Sequence, residues 1–204
     1  MKRIVLDPGH GDTDSGAVSL DGLRESDLVL SIAHRVRAIL EPYVYIFMTR
    51  DDDTFVSLNY RSNYANQLGD IAAFISIHCN SATNTNATGW EIFTSVGDTG
   101  ADPMARSIAN RYAARFPELP ARGDAGLREA NFSVLQKTSM PACLVECCFL
   151  SNVEEAHWVS HEETQQQMAE AIADGIIDHL ELQATVPELT LEQRVTRIEH
   201  HLNI

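Results

Sequence analysis

Val5-Leu6-Asp7-Pro8-Gly9-His10-Gly11-Asp12 is an apolar run that ends in a turn carrying a histidine. Pro8 lacks a backbone donor and does not continue a central strand, and the two glycines let the chain turn sharply or approach a ligand closely. His10 is therefore presented at a strand's end. A lone histidine more often satisfies a core or a surface loop than binds a metal, so its meaning depends on partners elsewhere in the chain.

Three other polar residues occupy comparable positions. Glu25 follows the loop Asp21-Gly22-Leu23-Arg24 and opens an apolar-periodic segment; His78 ends the run Ile71 to Ile77; Glu146 ends Ala142-Cys143-Leu144-Val145. In an open α/β sheet, ligands collect in the crevice outside the carboxyl ends of the strands, so residues that end such runs can converge there. Two histidines and one carboxylate make a catalytic zinc shell with a fourth position left for water, and a second, unligated carboxylate can take that water's proton. Taken alone, Glu25 has an ordinary role, because a carboxylate in a helix's first turn interacts well with the helix dipole.

Five pieces in order, Asp7-Pro8-Gly9-His10-Gly11, Gly22-Leu23-Arg24-Glu25, Met48-Thr49-Arg50, Ile75-Ser76-Ile77-His78-Cys79-Asn80-Ser81 and Met140-Pro141-Ala142-Cys143-Leu144-Val145-Glu146, carry a family likeness. Together they resemble the zinc-dependent N-acetylmuramoyl-L-alanine amidases of the amidase-3 type. The resemblance runs from about residue 3 to residue 182. It implies one zinc per chain held by His10, Glu25 and His78, with Glu146 as the catalytic carboxylate. Asp12 stands where the family usually has another glycine, and Cys148 stands where a glycine often follows the glutamate.

The chain has 204 residues, enough for one domain with a full core plus an appendage. No apolar run approaches the ~20 residues that span a bilayer, and Met1-Lys2-Arg3 passes directly into the first strand, so no ordinary secretory signal is expected. The formal net charge is -14, and from Leu150 onward two arginines face eleven acids. Such a chain is repelled by nucleic-acid phosphates, which argues against DNA or RNA as a partner. Anionic wall polymers repel it too, so retention on a wall would depend on groove contacts or a partner.

Cys79, Cys143, Cys147 and Cys148 contain no CxxC pair and read as small core hydrophobes. Strand alternation sends Cys79 to the face opposite His78 and Cys147 opposite Glu146. Cysteine as a metal ligand is the minor alternative, because Cys147 and Cys148 flank the expected site.

Alternating strands and helices predict an α/β fold: a single domain with a mostly parallel twisted central sheet flanked by helices, plus a short C-terminal helix. Strands are expected at residues 2–6, 43–49, 71–77, 90–95, 132–136 and 143–146, and helices at 25–40, 57–68, 104–116, 152–159 and 162–182. Tyr60, Tyr64 and Leu68 share one side of the second helix and read as core packing. Asp51-Asp52-Asp53 reads as a solvated turn. Arg122 and Arg128, in the glycine-rich loop 121–128, are candidates to contact a peptide carboxylate, with a surface turn equally expected. The catalytic domain spans 1–182, a linker 183–188, and an amphipathic helix 189–204 in which Leu191, Val195, Ile198 and Leu202 form a short heptad seam suited to a homo-oligomer.

The expected reaction is hydrolysis of the amide between N-acetylmuramic acid and L-alanine in bacterial peptidoglycan. A glycosidase using Glu25 and Glu146 leaves both histidines unexplained. A metallopeptidase cutting within the stem peptide is chemically closest, and a non-catalytic wall-binding protein would not need Glu146. The expected setting is a phage or prophage lysin, made in the cytoplasm and reaching the wall through a membrane lesion or on lysis. No built-in plug is expected, because the connections are short.

Overall fold

Ile4, Val5 and Leu6 are fully buried, as a strand covered on both faces requires. They form the centre of β1 (Arg3–Pro8) in a six-stranded sheet with β2 (Tyr45–Met48), β3 (Ala73–Asn80), β4 (Glu91–Thr94), β5 (Leu127–Glu129) and β6 (Ala142–Phe149). The order across the sheet is β2-β1-β3-β6-β4-β5. β2, β1, β3 and β6 are parallel neighbours; β4 runs antiparallel to β6 and parallel to β5. The computed structural model describes residues 1–97 and 99–184. The expected helix at 189–204, with Leu191, Val195, Ile198 and Leu202, lies outside the described residues, as does most of the linker.

Helices cover both faces of the sheet. α1 (Glu25–Leu40), α3 (Asp102–Arg115) and α6 (Glu162–Leu180) bury the larger core, where α1 contributes Leu28, Val29, Ile32, Ala33, Val36 and Leu40. The expected inward stripe of α6, Met168, Ala171, Ile172, Ile176 and Leu180, is buried there as well. On the other face α2 (Leu58–Leu68) and α4 (Ser133–Lys137) close a smaller core around Val5, Phe74, Phe93 and Leu144. The remaining helix, α5 (Val153–Val159), is capped by Asn152, whose side chain accepts from the amides of Glu154 and Glu155. Among the described residues no helix is long and apolar enough to cross a membrane.

The structure departs from the sequence reading in three places. Residues 133–137 form helix α4, not a strand, and the strand lies earlier at Leu127–Glu129. Val134 and Leu135 are both buried in the smaller core, which neighbouring strand residues on opposite faces would not achieve here. α2 buries Arg61, Ser62 and Ala65, while Tyr60 is 49% exposed and stacks on Tyr64 with ring centroids 5.9 Å apart. A buried ion pair of Arg61, described below, turns the helix that way. Finally, β3 and β6 continue past His78 and Glu146, with a register shift between His78 and Asn80. Both functional candidates sit inside strands and not at their ends.

Replacing the fully buried Ile172 by alanine is expected to lower unfolding stability by ~2–5 kcal/mol, whereas Tyr60→Ala should stay within ~0.5 kcal/mol. Urea denaturation followed by circular dichroism checks both values. A large loss for the tyrosine variant would return that side chain to the core.

Candidate metal centre

His10 lies two residues beyond the end of β1, where the amide of Gly9 donates to the Ile77 carbonyl at 3.1 Å. Its backbone is left-handed, with φ 60°. Non-glycine residues hold that conformation only where surroundings enforce it. Glu25 is the first residue of α1 and is 3% exposed, and His78 lies in β3. Two glycines make room for these groups. A Cβ on Gly9 would stand 2.2 Å from Cε1 of His78, and one on Gly16 would stand 2.5 Å from Oε2 of Glu25 and 2.6 Å from Cδ2 of His10.

The three side chains converge on one point. Oε1 of Glu25 is 3.1 Å from Nε2 of His10 and 3.0 Å from Nδ1 of His78, and one donor atom from each residue lies within 4.8 Å of the others. Donors around a tetrahedral zinc with ~2.0 Å bonds stand roughly 3.3 Å apart, so the donor chemistry and the two Glu25 separations fit zinc. Backbone amides fix the carboxylate: Cys79 donates to Oε1 at 2.9 Å and Ala17 to Oε2 at 2.8 Å. Burial alone would raise the Glu25 carboxyl, but hydrogen bonding to His10 and His78 outweighs it and holds the group well below the usual carboxylate range. On the far side of His10, Asp14 Oδ2 is 2.9 Å from Nδ1, yet that nitrogen is buried without a properly directed hydrogen bond.

Glu146 stands beside His78 in register on β6, with Glu91 of β4 opposite it on the other side. Its Oε2 is buried and has no hydrogen-bond partner. Burial pushes the Glu146 carboxyl up to about 7; His78 opposes the rise, and the carboxylates of Glu25 and Glu91 add to it. A carboxyl poised near neutrality suits taking up and returning a proton.

Several residues around this centre were given no role of their own in the sequence reading, although some lie within its motifs. Asp7 is fully buried and accepts from Thr49 Oγ1 at 2.6 Å, Arg61 Nη1 at 2.8 Å and Ser76 Oγ at 2.7 Å. Arg50 donates to the carbonyls of Pro8, Gly9 and Ser26 at 3.0, 2.7 and 2.8 Å, and Arg61 to those of Pro8 and His10 at 2.6 and 2.7 Å. The available signal was two arginines within or close to apolar-periodic segments, where an unpaired cation is costly. Glu91 was legible in the same way, as an acid opening an apolar strand.

Other sequence candidates fall into place around the centre. Arg128 pairs with the buried Glu91 carboxylate at 2.9 Å and Arg122 at 3.5 Å, and the Arg122 guanidinium lies 4.8 Å over the Phe149 ring. Their charges are thus engaged within the protein. All four cysteines are free and buried, with Cys79 and Cys147 in the larger core on the far face from the triad. Burial raises the Cys143 thiol to about 12, and no thiol joins the His10, Glu25 and His78 group. Asp12 takes φ 47°, so it keeps the backbone conformation that a glycine would supply, and its amide donates to Asp53 at 2.7 Å. The Asp51 to Asp53 turn is exposed, as expected.

Comparison with known proteins matches these features. Residues 4–178 fit the Amidase_3 family model, described as N-acetylmuramoyl-L-alanine amidase. The chain is 34% identical over 185 residues to the endolysin of Bacillus phage SPP1, covering 89% of this chain and 67% of that protein. It is 35% identical over 188 residues to a sporulation-specific N-acetylmuramoyl-L-alanine amidase of Bacillus subtilis, covering 91% and 71%. Among solved structures, the catalytic domain of CwlV from Bacillus (Paenibacillus) polymyxa var. colistinus superposes with a TM-score of 0.83 at 34% identity, covering 90% of this chain and 100% of that one. AmiC2 of Nostoc punctiforme gives a TM-score of 0.82 at 40% identity, covering 88% and 97%. A mostly parallel sheet with a His-Glu-His cluster at one end and a half-buried glutamate beside it, together with these matches, means that the chain belongs to the N-acetylmuramoyl-L-alanine amidase family.

Proposed function

We propose that the chain hydrolyses the amide joining the lactyl group of N-acetylmuramic acid to L-alanine in peptidoglycan, with zinc held by His10, Glu25 and His78 and with Glu146 as general base. The observation that carries the reading is the buried, unpartnered Oε2 of Glu146 next to three converging donors. Zinc in that shell supplies Lewis acidity toward the carbonyl and the attacking water. Glu25 is held anionic by its contacts with both imidazoles, and the backbone amides of Ala17 and Cys79 fix its orientation. Glu146 takes a proton from the water as it adds to the amide carbon, then gives it to the alanine nitrogen as the C–N bond breaks. The products are a free lactyl carboxyl group and a stem peptide with a free amino terminus.

The phage endolysin among the relatives supports a lytic setting, in which the enzyme meets the wall after release. Self-association through Leu191, Val195, Ile198 and Leu202 belongs to the same proposal and rests on their heptad spacing. It would raise avidity for a polymeric wall. Light scattering of the full chain should give at least a dimer, and a monomeric mass across the micromolar range would remove the idea.

Purified protein is expected to carry one zinc per chain, and His78→Ala to lose it; elemental analysis decides. Glu146→Gln should retain zinc and a native circular dichroism spectrum while turnover falls by ~100-fold to ~10,000-fold. A near-normal rate would pass the role to another group. Mass spectrometry of digested peptidoglycan should show stem peptides beginning with free L-alanine; cuts only within the stem would identify a metallopeptidase instead.

A further inference from the structure

A cleft of about 380 Å³ opens beside the triad, between the Phe55–Ser57 segment with the start of α2 on one side and α4 on the other. That volume falls within the ~300–1,000 Å³ of sites that take small ligands. His10 and His78 line its inner part, and Phe55, Leu58 and Val134 supply apolar surface. Phe55 and Leu58 are 47% and 56% exposed, an unusual outlay of apolar area beside a reactive centre.

Two cations line the cleft, and they differ in what they already bind. Arg61 is committed to Asp7 at 2.8 Å. Lys137, the last residue of α4, donates from Nζ to the neutral Oδ1 of Asn59 at 2.7 Å and forms no ion pair among the described residues. Its position is set from α2: Asn66 donates to the Lys137 carbonyl at 2.7 Å and accepts from the Ser139 amide at 2.8 Å. In a chain of net charge -14, an ammonium without a counter-ion on the wall of this cleft is a recognition group for an anion.

The chemistry of the substrate identifies that anion. The lactyl carboxyl of the glycan is consumed in the amide bond, so the carboxylates still free belong to the stem peptide. Small apolar groups alternating with carboxylates match a cleft with apolar walls and one uncommitted cation; of the acids that line it, Asp7 is paired with Arg61 and Asp14 lies against His10. We propose that this cleft receives the stem peptide and that Lys137 binds the carboxylate of the residue following L-alanine, so that the charge of that residue sets substrate preference. This rests on the amidase reading above.

The test uses two soluble muropeptides that differ only in whether that residue carries a free carboxylate or a carboxamide. The full-length zinc enzyme should favour the carboxylate by about fivefold to tenfold in kcat/KM, chiefly through KM. Lys137→Met should bring the ratio to about one, and Lys137→Arg should restore it. Equal rates on the two substrates by the wild-type enzyme, or a preference that survives in Lys137→Met, would overturn the assignment while leaving the amidase reading intact. Failure of the wild-type enzyme to cut either substrate at the lactyl amide would take both down together. A Lys137→Arg variant that behaves like the methionine variant would also count against recognition by charge.

Discussion

Arg50 and Arg61, both nearly inaccessible to solvent, claim the carbonyls of Pro8, Gly9 and His10 in succession. A turn that forces left-handed backbone on His10 and Asp12 is thus tied from below by two guanidinium groups. Arg61 also meets the buried Asp7 carboxylate, and Arg50 reaches the Ser26 carbonyl in the first turn of α1. Strand, turn, α1 and α2 are therefore locked in one frame by protein contacts alone. Removing one member of a buried ion pair strands its partner's charge, a loss of ~3–5 kcal/mol. Here it would also release the loop that carries a proposed ligand.

Three glutamates surround the centre, two buried and one half-buried, and their neighbours give them different parts. Glu25 faces two imidazoles and two backbone amides. Glu91 faces Asn80, Arg122 and Arg128. Glu146, between His78 and Glu91 in the sheet, has its Oε2 buried without a partner. The same side chain is thus held as a charged anchor, satisfied as a structural ion pair or left with an unpaired oxygen, according to what the fold places beside it.

This pattern explains what could be read from the sequence. His10, His78 and Glu146 each end an apolar run and Glu25 opens an apolar-periodic one, so local periodicity exposes them, and the alternation of strands and helices gives the parallel part of the sheet. Pairings between distant segments leave no local trace. Nothing in the order of residues announces that Arg61 will meet Asp7, or that Glu91 will lie opposite Glu146 because β4 runs antiparallel. The helix at Ser133–Lys137 and the outward tyrosines of α2 have the same origin: the smaller core and the buried guanidinium group decide which face turns inward, over a propensity that points the other way.

The two edges of the sheet carry short strands, four residues in β2 and three in β5. Two of the three β5 residues, Arg128 and Glu129, are charged and exposed. An open edge is a template on which another chain can add a strand, and short, charged edges offer little ladder for such addition. Copies of this chain are thereby kept from growing into edge-to-edge aggregates.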